Sequence, residues 1–301
     1  MVNLKAFQNC KICGQLGKSF FSIKYSEPKV SEFFETYYGK NSANFLTSYL
    51  KDEKFTILKC FQCNFIWQKL APDNNLSYTL YEKIIDKNKS LEKSKLNEKN
   101  NLHKYKNEFD NLCYYYNKQK FNILDYGAGW GGWLNCLDKH RANLYAYELS
   151  KTRKNHLINN GINVVENLNN NKYKNFFDYI RLEQVLEHLD EISEILNTIK
   201  NISKKNTIIE IGVPNGINQI NNNKIEITKG PIQPLEHINC FSNKSLIKLI
   251  NKNGFRILNF VNIFKFYSKN YSLNNFKKFK LISKDFYKNL FSTTIKIKIR
   301  S

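Results

Sequence analysis

Three groups of residues in this 301-residue sequence have types and spacing that could do chemistry. The first is Asp125-Tyr126-Gly127-Ala128-Gly129-Trp130-Gly131. A glycine-rich turn lets the backbone approach a nucleotide cofactor, because no Cβ stands in the way. Its G-x-G-x-G spacing differs from the dinucleotide fingerprint G-x-G-x-x-G, and Asp125 would set a negative charge against a pyrophosphate. A carboxylate there suits a cationic amino group instead. Glu148 follows 23 residues later, at the end of the next apolar run, where an acid can accept hydrogen bonds from ribose hydroxyls. The second group is Glu183-Gln184-Val185-Leu186-Glu187-His188-Leu189 together with Pro234-Leu235-Glu236-His237-Ile238. A histidine holds a proton near neutral pH, so His188 and His237 are candidate general bases toward a hydroxyl. The alternative for each is a packing or loop-fixing hydrogen bond. The third group is Cys10-Lys11-Ile12-Cys13 and Cys60-Phe61-Gln62-Cys63. Four thiolates in two C-x-x-C pairs satisfy tetrahedral zinc and leave no open position, which makes such a metal structural. Redox pairs or buried free thiols are the other readings.

These groups need elements to place them. Residues 1–75 hold both cysteine pairs and short strand-like runs, such as Phe20-Phe21-Ser22-Ile23 and Phe55-Thr56-Ile57-Leu58. They read as a zinc-binding module of ribbon type, with a Phe- and Tyr-rich insertion. Residues 76–118 lack Gly and Pro and repeat Leu91, Leu96, Leu102, Tyr105, Phe109 and Leu112 at helical spacing, which predicts a helical connector. From residue 121 strands and helices alternate. Strands are predicted at 121–126, 143–147, 162–165, 176–181 and 207–213, and helices at 131–140, 151–160, 189–202 and 242–253, the last capped by Ser242. Strand-like runs at 255–266 and 292–299 follow. The pattern predicts an α/β, mainly parallel, doubly wound sheet of seven strands.

The formal charge is +21, from 47 Lys and Arg against 26 Asp and Glu. A basic chain points to a polyanion. Here the excess is Lys scattered among Asn, Ile, Tyr and Phe, and Arg, the better bidentate phosphate ligand, is scarce. Nucleic acid is therefore the lesser reading. Met1–Lys18 has no apolar signal core, and no run reaches the ~18 apolar residues of a membrane span. With paired cysteines and no signal peptide, the expectation is a cytoplasmic protein. Cys113, Cys136 and Cys240 read as buried fillers, and His103, His140 and His156 as surface residues.

Residues 119–301 resemble the class I methyltransferases that use S-adenosylmethionine (SAM), through Ile123–Gly131 and the strand-two acid Glu148. The resemblance implies a Rossmann-like fold. It implies that Asp125, Gly127, Ala128, Gly129 and Gly131 hold the methionine part of SAM, that Glu148 binds the ribose, and that Asn167 and Leu168 border the adenine. Glu183, following the fourth strand, is counted with them. The segments around Glu187-His188 and Glu236-His237 are similar to a bacterial group acting on sugars, quinones and other small metabolites. In its sugar C-methyltransferases the residues matching Glu236 and His237 belong to the active site, and a cysteine module precedes the domain. A tyrosine of that group falls on Pro234 here, and their further C-terminal domain has no counterpart. In the quinone-pathway type, E-x-x-E-H can bind a divalent cation, and its first acid falls on Gln184. The expected activity is methyl transfer to a small-molecule acceptor, a sugar, nucleotide-sugar or surface-glycan precursor, with O-methylation ahead of C-methylation. An RNA methyltransferase and a non-catalytic SAM-binding or zinc scaffold remain as alternatives. The sequence leaves the oligomeric state open.

Overall fold

The structure, a computed structural model, describes residues 4–117, 120–216, 225, 227, 230–258 and 294–300. The chain divides into two compact units, one of Met1–Ser90, Leu186–Ser193 and Val213–Lys252, the other of Leu91–Val185, Glu194–Gly212 and Asn253–Ser301. Segments 186–193 and 213–252, read from sequence as part of the 119–301 domain, thus cluster with residues 1–90.

The first unit carries β1 (Leu4–Ala6), β2 (Lys18–Lys24), helices α1 (Pro28–Tyr38) and α2 (Lys40–Tyr49), β3 (Lys54–Lys59), β4 (Ile66–Gln68), β5 (Leu70–Pro72) and α3 (Asn74–Thr79). Strand β1 pairs antiparallel with β5, and β2, β3 and β4 form an antiparallel sheet. The cysteine module is therefore a helix-bearing sheet and not the expected ribbon. Its insertion is two helices, for which Pro28 at the first helical turn was the legible start signal. Val30, Phe33, Phe34, Ala43 and Leu46 from these helices pack with Tyr25, Phe55 and Ile57.

The second unit holds the long helix α4 (Lys87–Tyr116, its first turn in the other unit), then β6 (Phe121–Tyr126), β7 (Ala142–Tyr147), α5 (Lys151–Asn159), β8 (Asn163–Val164), β9 (Phe177–Glu183), α6 (Ile192–Ile202) and β10 (Ser203–Pro214). In the first unit again, β11 (Asn239–Cys240) precedes α7 (Asn243–Lys252), and β12 (Arg256–Ile257) and β13 (Thr294–Arg300) close the second. Among the described residues a seven-stranded sheet runs β12-β13-β10-β9-β6-β7-β8. Pairs β6–β7, β7–β8, β6–β9 and β9–β10 are parallel and β12–β13 antiparallel. This is the expected mixed, mainly parallel sheet. Its Phe121, Ile123, Leu144, Tyr179 and Ile208 share a core with Phe109 and Leu112 of α4, whereas Leu96 and Leu102 of the predicted stripe are exposed.

Three further expectations need correction or limits. The helix predicted at 131–140 is a single 3-10 turn, Leu134–Cys136. Gly131 and Gly132 open that segment, and glycine favours the unfolded chain over a helix. The helix predicted from 189 begins at Ile192. The run at 255–266 gives only β12, and its later residues lie outside those described. No described helix is long and apolar enough to cross a membrane. Strand β11 pairs antiparallel with β4, so the Glu236-His237 segment enters the sheet of the cysteine module.

The predicted cap of α7 is present: the Ser245 amide donates to Ser242 Oγ at 3.2 Å and the Ser242 amide to Ser245 Oγ at 2.8 Å. Ser242→Ala is expected to cost about 1 kcal/mol. The measurement is the urea midpoint, which should fall while the slope of the transition stays unchanged.

Candidate functional site

The glycine loop leaves β6 at the carboxyl edge of the parallel sheet, where open α/β sheets bind ligands. Gly127, Gly129 and Gly131 all have positive φ, 74°, 57° and 76°. The amides of Gly127 and Ala128 donate to the Tyr147 carbonyl at 2.8 and 3.2 Å, which ties the turn to the end of β7. Glu148 stands immediately after that strand and is buried. Its Oε2 accepts from the Gly129 amide at 2.9 Å, and its Oε1 from the Leu149 and Ser150 amides at 2.8 and 2.9 Å. The acid expected at the ribose therefore also braces the glycine loop; Oε1 has both lone pairs engaged, and Oε2 accepts one amide. Asn167 and Leu168 lie beyond β8, two strands from the loop. Leu168 is buried, and Asn167 Oδ1 accepts from the Asn169 amide at 2.9 Å, closing a local turn.

Asp125 is 4% exposed in the last turn-ward stretch of β6. Burial pushes its carboxyl up to about 6, opposed first by the Arg181 guanidinium. Arg181 Nη1 lies 3.6 Å from Asp125 and Nη2 lies 3.8 Å from Glu183. Arg181 escaped the sequence reading, because a single arginine inside a buried strand has no motif to mark it.

In the first unit, His188, Glu236, His237 and Glu187 come together, although 186–193 and 213–252 are distant in sequence. Glu187 is fully buried in the 3-10 turn Leu186–His188. The His188 and His237 rings meet edge to face, with centroids 4.8 Å apart. One ligand atom from each of Glu187, His188 and His237 lies within 4.8 Å of the others, so this trio could hold a metal. His188 Nδ1 is 3.0 Å from the Glu236 carbonyl. A carbonyl only accepts, so this contact is a hydrogen bond only in the tautomer with the proton on Nδ1 and the lone pair on Nε2, whereas the Tyr81 hydroxyl near the same nitrogen can meet either tautomer. His237 hydrogen-bonds the Pro231 carbonyl, and its buried Nδ1 has no hydrogen-bond partner. Burial lowers its pKa to about 4, so the imidazole is neutral at pH 7.

Four residues that the sequence did not announce hold this cluster. Tyr38, at the end of α1, donates to Glu236 Oε1 at 2.5 Å. Tyr81 Oη is 3.1 Å from His188 Nδ1. Gln68, fully buried on β4, donates through Nε2 to the carbonyls of Gln233 and His237, the latter at 3.0 Å. Asn239 donates through Nδ2 to the carbonyls of Leu186 and Leu189 at 2.9 and 2.6 Å, pinning one Glu-His segment to the other.

Cys10, Cys13, Cys60 and Cys63 bring their sulfurs within 4.8 Å of one another. Cys13 and Cys60 Sγ are 3.5 Å apart, close to the ~3.8 Å edge of a tetrahedron with 2.3 Å metal–sulfur bonds. Both turns use one device. The amide of the residue after each pair, Gly14 or Asn64, donates to the carbonyl of its first cysteine at 2.8 Å. Gly14 and Asn64 both have positive φ, 79° and 53°, which glycine and asparagine tolerate best. The donor set fits a closed, four-thiolate metal centre.

Gly131 is the loop position least open to a side chain. A Cβ there would come 2.6 Å from Leu157 Cδ2, at a φ of +76°. Gly131→Ala is expected to cost about 1–2 kcal/mol from backbone strain alone. Thermal unfolding reads the loss, and titration with S-adenosylhomocysteine should show weakened binding as the loop shifts.

Residues 88–259, more than half of the chain, match the sequence profile described as methyltransferase domain. No curated protein matches the chain. Similar solved structures include a SAM-dependent methyltransferase from Aquifex aeolicus, with 21% identity over 52% of this chain and 80% of that one, and a TM-score of 0.37. Another, from Archaeoglobus fulgidus, shares 16% identity over 76% of this chain and 100% of that one, with a TM-score of 0.42. The plantazolicin methyltransferase BamL, solved with a substrate analogue and SAH, shares 14% identity over 75% and 95%, with a TM-score of 0.48. With its glycine loop, its strand-end acids and a profile match over most of its length, the chain belongs to the methyltransferase-domain family and is a SAM-dependent methyltransferase.

Proposed function

We propose that the protein transfers the methyl group of SAM to a hydroxyl of a small molecule, a sugar, nucleotide-sugar or surface-glycan precursor, with a carbon acceptor as the second reading. Asp125, the loop Gly127–Gly131 and Glu183 bind the methionine part of the cofactor, Glu148 the ribose, and Asn167 and Leu168 border the adenine. The observation that carries the acceptor reading is the convergence of His188, Glu236 and His237 into one hydrogen-bonded cluster. The group is rich in donors and acceptors, as a polyhydroxylated acceptor requires. Glu236 Oε1 accepts a hydrogen bond from the Tyr38 hydroxyl, which orients the carboxylate within the cluster.

When bound, SAM would supply an electrophilic methyl, taken in line by the acceptor oxygen as the carbon–sulfur bond breaks and S-adenosylhomocysteine leaves. The protein aligns the acceptor and removes its proton, and alignment carries much of the rate. His188 presents the lone pair of Nε2 because its Nδ1 proton is committed to the Glu236 carbonyl, and it is the base. His237, held neutral by burial, offers Nδ1 as a hydrogen-bond acceptor and orients the hydroxyl. The four cysteines hold a structural zinc ion that shapes the sheet carrying Gln68.

His188→Ala is expected to lower kcat about 100- to 10,000-fold. His237→Ala should act mainly on KM. If both variants keep wild-type turnover on glycan precursors, neither imidazole activates the acceptor. Activity falling steeply with salt would favour the RNA reading, and SAM binding without turnover the scaffold reading. Elemental analysis should find one zinc per chain, falling below about half an equivalent in Cys60→Ser.

A further inference from the structure

The parallel register of β6, β9 and β10 sets three charges in one row. Asp125 on β6 is the register partner of Arg181 on β9, and Arg181 is the partner of Glu210 on β10. Lys298 on β13 meets Glu210 at 3.0 Å. Register partners in a parallel sheet point to the same face, so Asp125, Arg181 and Glu210 alternate in sign along it, and Lys298 meets the last of them as an ion pair. Glu183 lies two residues beyond Arg181 on the same strand, hence on the same face and nearer the carboxyl edge. It leans back to within 3.8 Å of Arg181 Nη2. Gly212 makes that possible, since a Cβ at 212 would stand 2.4 Å from Glu183 Oε2. The Trp133 ring covers the guanidinium at 4.8 Å, and Arg181 itself is only 8% exposed. One buried cation is thus shared by two carboxylates, of which Glu183 is the more exposed.

We propose that Arg181 is a positioning residue of the cofactor site, holding the Asp125 and Glu183 carboxylates against one guanidinium so that the pair receives the ammonium of the cofactor's methionine end. This rests on the reading that Asp125 and the loop hold that end of SAM. With the guanidinium in place the two carboxylates carry one net negative charge, which the ammonium cancels. The other charges facing Asp125 do not replace it. Glu148 adds to the repulsion from the end of β7, Glu210 lies across the sheet, and Lys298 is engaged with Glu210. Two carboxylates that lie 3.6 and 3.8 Å from one guanidinium repel each other once that cation is removed, which drives one of them to keep a proton. That proton would have to leave before both groups could accept from the ammonium, so binding would become coupled to deprotonation.

The test is calorimetric titration of full-length protein with S-adenosylhomocysteine, which keeps the ammonium and is chemically stable, between pH 5 and 8. Wild-type affinity should rise with pH to a midpoint near the Asp125 value of about 6 and then level off. In Arg181→Met the midpoint should move above pH 7, so affinity climbs about 10-fold per unit between pH 6 and 7, and binding at pH 7 should release a proton, seen by comparing buffers. Arg181→Lys should restore most of the wild-type profile. Glu183→Gln removes one negative charge and should move the midpoint below that of wild type. The charge-balanced Arg181→Met/Glu183→Gln pair should bring it back. A structural role alone would weaken binding equally at every pH, and an Arg181→Met midpoint equal to wild type overturns the proposal. Should Arg181→Met fail to fold, Glu183→Gln decides: an unmoved midpoint overturns it as well. Wild-type protein that does not bind S-adenosylhomocysteine removes the cofactor reading and the proposal together. Binding with a midpoint indifferent to Arg181 and Glu183 removes the proposal alone.

Discussion

A carboxylate at the end of a central strand must be answered by charge if it is to stay ionisable inside an apolar sheet, and the second unit is arranged around that need. Desolvation alone drives Asp125 toward its neutral form. The answer is Arg181, which is itself too costly to bury unless acids surround it, and Glu183 and Glu210 do so. Glu210 in turn has Lys298. Each charge is tolerable because an opposite charge on the neighbouring strand stands against it. Such a row adds little net stability over an apolar one. It does specify strand order, because a slip of one residue turns every side chain to the other face and leaves buried charges opposed by nothing.

The glycine loop depends on the same sheet from its other side. Its shape is held by the Tyr147 carbonyl and the Glu148 carboxylate, both at the end of β7, more than by its own residues. This explains how the segment after the loop can dispense with a long helix. Trp133 and Leu134 enter the core directly, and Gly132 faces Ser94 of α4, where a Cβ would be 3.1 Å from Ser94 Oγ. The helix before β6 thereby covers ground that a helix after the loop was expected to cover.

What the sequence made legible was local. Glycine spacing, acids at strand ends, paired cysteines and the Ser242 cap are each written in a few neighbouring residues, and strands β6, β7 and β10 follow apolar runs that any burial argument finds. The alternation of strands and helices predicts a helix at 131–140, but the two leading glycines work against one and only a 3-10 turn forms. The insertion between the cysteine pairs was read only as aromatic, although Pro28 and Gly39 bracket its first helix. Tyr38, Gln68 and Tyr81 were out of reach for a different reason. They meet Glu236, His237 and His188 across 198, 169 and 107 residues of chain, and no local pattern encodes a partner so far away. Arg181 was hidden by its company, since a strand buried on both faces looks alike with or without one arginine.

Those long-range contacts bear on why the cysteine module is present at all. The chemistry proposed for His188 requires one tautomer, and it is the one in which Nδ1 donates to the carbonyl of Glu236. The Glu236 segment has no regular structure of its own until β11, and a segment with few internal hydrogen bonds is ordered by what it touches. It touches the module: the Gln68 side chain spans the carbonyls of Gln233 and His237, the Gln68 amide donates to the Ile238 carbonyl at 2.9 Å, and β11 pairs with β4. Strand β4 begins three residues after Cys63, and the amide of Cys60 donates to the Phe65 carbonyl at 2.9 Å, so the turn that would grip the metal also sets where β4 starts. A metal bound by the four sulfurs would therefore act on acceptor chemistry through position alone. It would fix β4, β4 would fix the Glu236 carbonyl, and the carbonyl would decide which nitrogen of His188 carries the lone pair.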